Sequence, residues 1–125
     1  MIIIDYQDRT PIYEQIVERI QMLIIKGILR ADEQLPSVRK LATDLSINPN
    51  TIQKAFAVLE QQGFIYSVKG RGSFVSPDPG GGITQKRDEF YGQLKEMVNN
   101  AKDLKIGLAD LQRKVEEYYG EARHD

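Results

Sequence analysis

Apolar residues return every four positions early in the chain, at Ile12, Ile16, Ile20 and Ile24, with Val17 and Leu23 widening the stripe. That period predicts an amphipathic helix with one side turned to a core. Thr10-Pro11 precedes it as a cap-then-proline start, and Gly27 stands where it should stop. A second helix is predicted through Leu35-Pro36-Ser37-Val38-Arg39-Lys40-Leu41-Ala42, and a third from Asn48-Pro49-Asn50-Thr51. Ser37 and Asn48 suit N-caps, because a short side-chain oxygen can satisfy the orphan amides of a first turn. Pro49 suits the first helical position, where its missing N–H costs nothing. Two short capped helices on a tight turn form a helix-turn-helix pattern, whose second helix enters the major groove of DNA.

The third helix separates into two faces. Ile52, Ala55, Phe56 and Leu59 follow the spacing of a buried stripe, and Asn50, Gln53, Lys54 and Ala57 repeat that spacing two positions earlier. Two residues are roughly 200° of helix, so the polar set points away from the apolar one. Small, amide and cationic side chains facing outward can reach base edges and phosphates. On an isolated helix this would be an ordinary solvent face; behind a capped helix-turn-helix, DNA is the stronger reading.

The period then changes from helix to strand. Phe64-Ile65-Tyr66-Ser67-Val68 and Ser73-Phe74-Val75 are rich in aromatic and β-branched residues, with Lys69-Gly70-Arg71-Gly72 between them. A glycine turn carrying two cations, placed just after a recognition helix, describes the wing of a winged helix. Ser76-Pro77-Asp78-Pro79-Gly80-Gly81-Gly82 has linker composition. Its glycines argue for a free leash over tight docking. Beyond it Phe90, Leu94, Met97, Ala101, Leu104, Leu108, Leu111, Val115 and Tyr118 alternate steps of four and three, a coiled-coil-like seam. Such a seam cannot bury itself, and Gly107 makes two helices a better expectation than one rod.

The expected fold is mainly α with a small β-hairpin. A winged helix-turn-helix covers residues 1–76, a linker 77–83, a two-helix dimerisation segment 84–120 and a disordered tail 121–125.

Charge changes this picture only locally. From Arg39 to Arg71 five cations face two acids, so a basic stretch lies inside a chain of net charge −1. The absence of cysteine excludes disulfides and thiolate metal sites, and the single histidine, His124, lies beside the C-terminus. A nucleophile–histidine pair or histidine-rich zinc site is thus remote, and nothing argues for an enzyme. No apolar run approaches the ~20 residues that span a bilayer, so a cytoplasmic location is expected, with no membrane partner. An adaptor whose C-terminal seam binds another protein, with the winged helix as scaffold, stays open as a rival reading.

The combined pattern resembles the GntR family of bacterial transcription regulators, specifically its short YtrA-like subfamily. The matching stretches are Thr10-Pro11-Ile12-Tyr13-Glu14-Gln15-Ile16, Leu35 to Ala42, Asn48-Pro49-Asn50-Thr51 and Gly70-Arg71-Gly72-Ser73-Phe74-Val75. The resemblance implies a homodimeric regulator, expected to be a repressor, that binds a pseudo-palindromic double-stranded operator. It implies DNA contacts from Arg39, Asn48, Asn50, Thr51 and Gly70 with its flanking Lys69 and Arg71. The helix caps and outward face add Ser37, Gln53 and Lys54, and the nine seam residues are expected to pair the subunits. Many relatives carry arginine where this chain has Pro49 and Gln53. Pro49 donates nothing and Gln53 prefers adenine, so their operator does not carry over. Control of a transport operon is implied only by analogy. No cofactor or metal is implied, and the effector stays unnamed.

Overall fold

The computed structural model describes residues 2–78 and 81–122. Its elements run α1 (Ile12–Ile25), α2 (Val38–Leu45), α3 (Pro49–Gln61), β1 (Ile65–Val68), β2 (Gly72–Val75), α4 (Gly82–Asp103) and α5 (Leu108–Gly120). The chain divides into two units, one ending at Lys86 and the other starting at Arg87, inside the first turns of α4.

In the first unit α1 and α2 both pack on α3. Ile16, Ile20 and Ile24 of α1 meet Leu41 and Ala42 of α2, Ile52, Ala55, Phe56 and Leu59 of α3, and Ile65 and Val75 of the hairpin in one core. Ile16, Ile52, Ala55 and Leu59 have no exposed surface. Each large aliphatic so buried contributes about 1.5–3 kcal/mol relative to exposure.

The start of α1 departs from expectation. Pro11 is the N-cap and no side chain caps the helix. Thr10 is engaged in the preceding turn, where its amide donates to Asp8 Oδ1 at 2.9 Å. That backbone bond, then one from the Thr10 side chain, holds the Asp8 carboxyl below its usual pKa. Buried Gln15 anchors the entry instead. Its Oε1 accepts the Asp5 amide and its Nε2 donates to the carbonyls of Asp5 and Thr10, each at 2.9 Å. The stop at Gly27 holds: its φ is +75°, and Ile28 N–H reaches back to Leu23 O at 2.9 Å.

Both expected caps of the helix-turn-helix form. Ser37 Oγ accepts the Lys40 amide at 3.0 Å, and Asn48 Oδ1 accepts the Asn50 amide at 2.8 Å. Pro49 is the first residue of α3. Between the helices Ser46 takes a left-handed φ of 54°, and Ile47 N–H returns to Ala42 O at 2.9 Å. This reversal turns the chain sharply from α2 into α3.

The hairpin pairs Ile65 with Val75, Tyr66 with Phe74, Ser67 with Ser73 and Val68 with Gly72. Phe64 lies outside the strand, buried in the core. A third edge, which no sequence pattern announced, joins the sheet from before α2. Asp32 N–H donates to Val75 O (2.8 Å), Val75 N–H to Glu33 O (2.9 Å) and Leu35 N–H to Ser73 O (2.9 Å), around a bridge between Gln34 and Phe74.

The glycines after the wing are not a slack tether in their described part. Gly82 is buried and already belongs to α4, its amide donating to Gly63 O at 3.2 Å. A methyl group at Gly82 would land on the Phe64 ring, and Ile83 packs against the core. Glycine is there for close approach, which composition cannot distinguish from freedom.

In the second unit α4 ends where Lys105 takes a left-handed φ of 63° and Ile106 N–H bonds Ala101 O at 2.9 Å. Gly107 then N-caps α5, so there are two helices. Ala101 is buried and Leu111 half-buried, whereas Leu104 and Leu108 each leave 71% of their surface open. Phe90, Leu94, Met97, Val115 and Tyr118 are exposed as well. The expected disordered tail falls mostly on residues 123–125, outside the described residues.

Candidate nucleic-acid interface

The ten residues expected to meet DNA occupy three places: the start of α2, the first turns of α3 and the tip of the hairpin. On α3, Asn50, Gln53, Lys54 and Ala57 are exposed, opposite the buried row of Ile52, Ala55, Phe56 and Leu59. The amides of Asn50 and Gln53 present both donors and acceptors, the groups that read a base edge. Asn48 spends its side-chain oxygen on the cap, and Thr51 is half-buried at the side of the row.

Lys54 is drawn toward α1. Its Nζ lies 4.0 Å from the centre of the Tyr13 ring, a cation–π contact. The Tyr13 hydroxyl donates to Glu14 Oε1 at 3.1 Å, and that bond holds the phenol above its usual pKa. A cation at this edge of α3 suits a backbone phosphate better than a base in mid-groove.

On α2, Arg39 is exposed in the first turn while Ser37 is the cap. Lys40 forms an exposed pair with Asp44 at 3.2 Å, worth about 1 kcal/mol or less. The other acid of the basic stretch, Glu60, accepts the Ser67 amide at 3.1 Å and so braces β1 on α3. Both acids thus have partners within the fold.

The wing tip is Lys69-Gly70-Arg71, all exposed. Gly70 (φ +79°) and Gly72 (φ +115°) make the turn, and Arg71 N–H closes it on Val68 O at 2.9 Å. At its base Tyr66 stacks on Phe74 with centroids 5.6 Å apart, and Tyr66 OH donates to Asp32 Oδ1 at 2.7 Å. Gln34 Nε2 donates to Arg71 O at 2.7 Å.

Sequence pattern did not single out Tyr13, Asp32 or Gln34, because each acts across a long separation in the chain and no local period marks it. Among the described residues no cluster of metal-ligating side chains occurs, and no helix is long and apolar enough to cross a membrane.

Known proteins share this arrangement. The profile of bacterial regulatory proteins of the gntR family matches residues 12–75. The HTH-type transcriptional repressor YtrA of Bacillus subtilis is 38% identical over 118 residues, which are 94% of this chain and 91% of that protein. A transcriptional regulator from Oenococcus oeni superposes with a TM-score of 0.76 at 27% identity, covering 94% of this chain and 98% of the other. The DNA-binding domain of AraR, crystallised with operator ORX1, matches with a TM-score of 0.51 at 36% identity over 53% of this chain and 80% of its own. These relatives are transcription regulators and not enzymes. The chain belongs to the gntR family of bacterial regulatory proteins, among its YtrA-like members.

Proposed function

We propose that this chain is a cytoplasmic transcription repressor that binds a pseudo-palindromic operator as a homodimer and so blocks a promoter. The observation that carries the reading is the exposed row Asn50, Gln53 and Ala57 on α3, set in a winged helix whose tip bears Lys69 and Arg71. Asn50 and Gln53 read base edges with a leaning toward adenine. Arg39, the first-turn amides of α2 and Lys54 hold phosphates. Lys69, Gly70 and Arg71 lie along the backbone or in the minor groove. The operator complexes of the related AraR domain support DNA as the ligand, and the name of the Bacillus relative supports repression. Exposure of the seam on α4 and α5 supports a second copy as the partner, since a stripe of that size left in water marks an interaction surface. A transport operon as the regulated unit rests on analogy alone.

Selection of bound duplexes from a random pool tests the reading. The expected product is two inverted half-sites whose centres lie about one helical turn, or a multiple, apart. Recovery of a single unrepeated site would remove the symmetric dimer, and recovery of no sequence preference would remove specific readout.

A further inference from the structure

Gln34 stands where a backbone ladder runs out. The edge at residues 32–35 pairs with β2 through Val75 N–H to Glu33 O and Leu35 N–H to Ser73 O. In an antiparallel ladder the next donor of that phase would be the amide of Ser37, bonding the carbonyl of Arg71. Ser37 has instead turned away to cap α2, and the Gln34 side chain takes its place, with Nε2 2.7 Å from Arg71 O. The same nitrogen lies 3.2 Å from where a Cβ on Gly72 would sit, so it rests against the tip's exit strand.

The peptide groups on both sides of Arg71 are thereby tied down. Its N–H bonds Val68 O across the turn, and its carbonyl accepts from Gln34. Without Gln34 the tip would hang on the turn bond and the Val68–Gly72 pair alone. Two glycines adjoin these ties, so an untethered tip would have much conformational freedom to lose on meeting DNA.

We infer that Gln34 is a positioning residue for DNA binding: it holds the wing tip in place so that Lys69 and Arg71 meet the phosphate backbone already ordered. This rests on the reading that the wing touches DNA. Gln34 lies three residues before the Ser37 cap, so the same short segment sets both the start of α2 and the wing tip.

The test uses the full chain and a duplex recovered from the random pool. Gln34→Met keeps the length and removes the donor; Gln34→Glu keeps the shape and leaves only acceptors. Both are expected to weaken binding about two- to tenfold, the range of one hydrogen bond, while the fold stays cooperative and the melting temperature falls by no more than a few degrees. In a Lys69→Ala/Arg71→Ala background, which keeps the Arg71 carbonyl, Gln34→Met is expected to add nothing. In the free protein the Arg71 and Gly72 amides should exchange faster in Gln34→Met. An equal loss in the wing-deficient background would overturn the inference, as would unchanged affinity and exchange in Gln34→Met. If Lys69→Ala/Arg71→Ala itself binds as tightly as the parent, the wing reading fails first and takes the inference with it.

Discussion

The ammonium of Lys54 on α3 sits 4.0 Å from the centre of the Tyr13 ring on α1. The ring therefore holds this ammonium at the edge of α3, and in the proposed complex it would support a phosphate contact without touching DNA itself. An exposed cation–π contact is worth about 0.5–1 kcal/mol, or about two- to fivefold in affinity. Tyr13→Leu should weaken operator binding by that factor, whereas Tyr13→Phe, which keeps the ring, should bind like the parent. Lys54→Ala should lower the salt slope of binding by about one charge. Equal damage from Tyr13→Phe and Tyr13→Leu would shift the role to the hydroxyl bonded to Glu14.

What could be read from the chain was what its residues decide locally. The period of α1, the caps at Ser37 and Asn48 and the glycine turn of the wing are choices made within a few residues. Asp32-Glu33-Gln34-Leu35 shows no strand alternation, and its partners Ser73 and Val75 lie beyond three intervening elements of the chain. Thr10 resembles a cap, but its amide and its side chain both bond Asp8. Gly82 resembles a hinge because nothing in composition shows that the Phe64 ring occupies the space of its missing methyl.

That contrast makes a paired prediction about α4. Gly82→Ala should destabilise the protein by about 1–3 kcal/mol, the range for a side chain forced into filled space. Gly92 lies exposed in the same helix, and a methyl group added there would meet nothing within 4 Å. Gly92→Ala should raise helix stability by about 0.5–1 kcal/mol. Urea unfolding of the two variants separates them. A neutral Gly82→Ala would mean that α4 does not start against Phe64 in solution.

The turn between α2 and α3 holds a second reserve of stability. Ser46 keeps a left-handed backbone, which costs an ordinary residue about 1–2 kcal/mol. Ser46→Gly should therefore raise the melting temperature. Ser37→Ala and Asn48→Ala should each cost about 1 kcal/mol through the lost caps. Thermal unfolding checks all three, and a destabilised Ser46→Gly would show that the serine side chain has a role beyond the turn.

The Tyr66–Asp32 bond carries a pH signature. Donation to the Asp32 carboxylate, then burial, keeps the Tyr66 phenol above its usual pKa near 10. A group whose folded pKa is raised gives its full contribution below the unfolded value and loses it as pH rises through the folded one. The base of the wing should thus be held normally at neutral pH and loosen only in strong alkali. Absorbance titration of tyrosinate should show a late-ionising fraction that shrinks in Tyr66→Phe. An unchanged late fraction in that variant would assign it elsewhere, Tyr13 being the other phenol raised in this way.

The seam on α4 and α5 makes the sharpest demand on solution behaviour. Leu94 and Leu111 lie on it, and within one chain they are exposed and half-buried, respectively, so a charge at either costs the single chain little. In a paired seam the same charge would be desolvated without a partner, a penalty of several kcal/mol. Leu94→Asp and Leu111→Asp should therefore sediment as monomers at micromolar concentration while keeping their helix content. Tyr119 is the control, since it leaves 89% of its surface open and lies off the seam. Tyr119→Asp should remain dimeric. If the seam pairs the subunits, the two leucine variants should also lose most operator affinity, because each half-site would then be bound alone. Dimers that survive both leucine variants would move the interface off this stripe and leave its exposed apolar surface for a different partner.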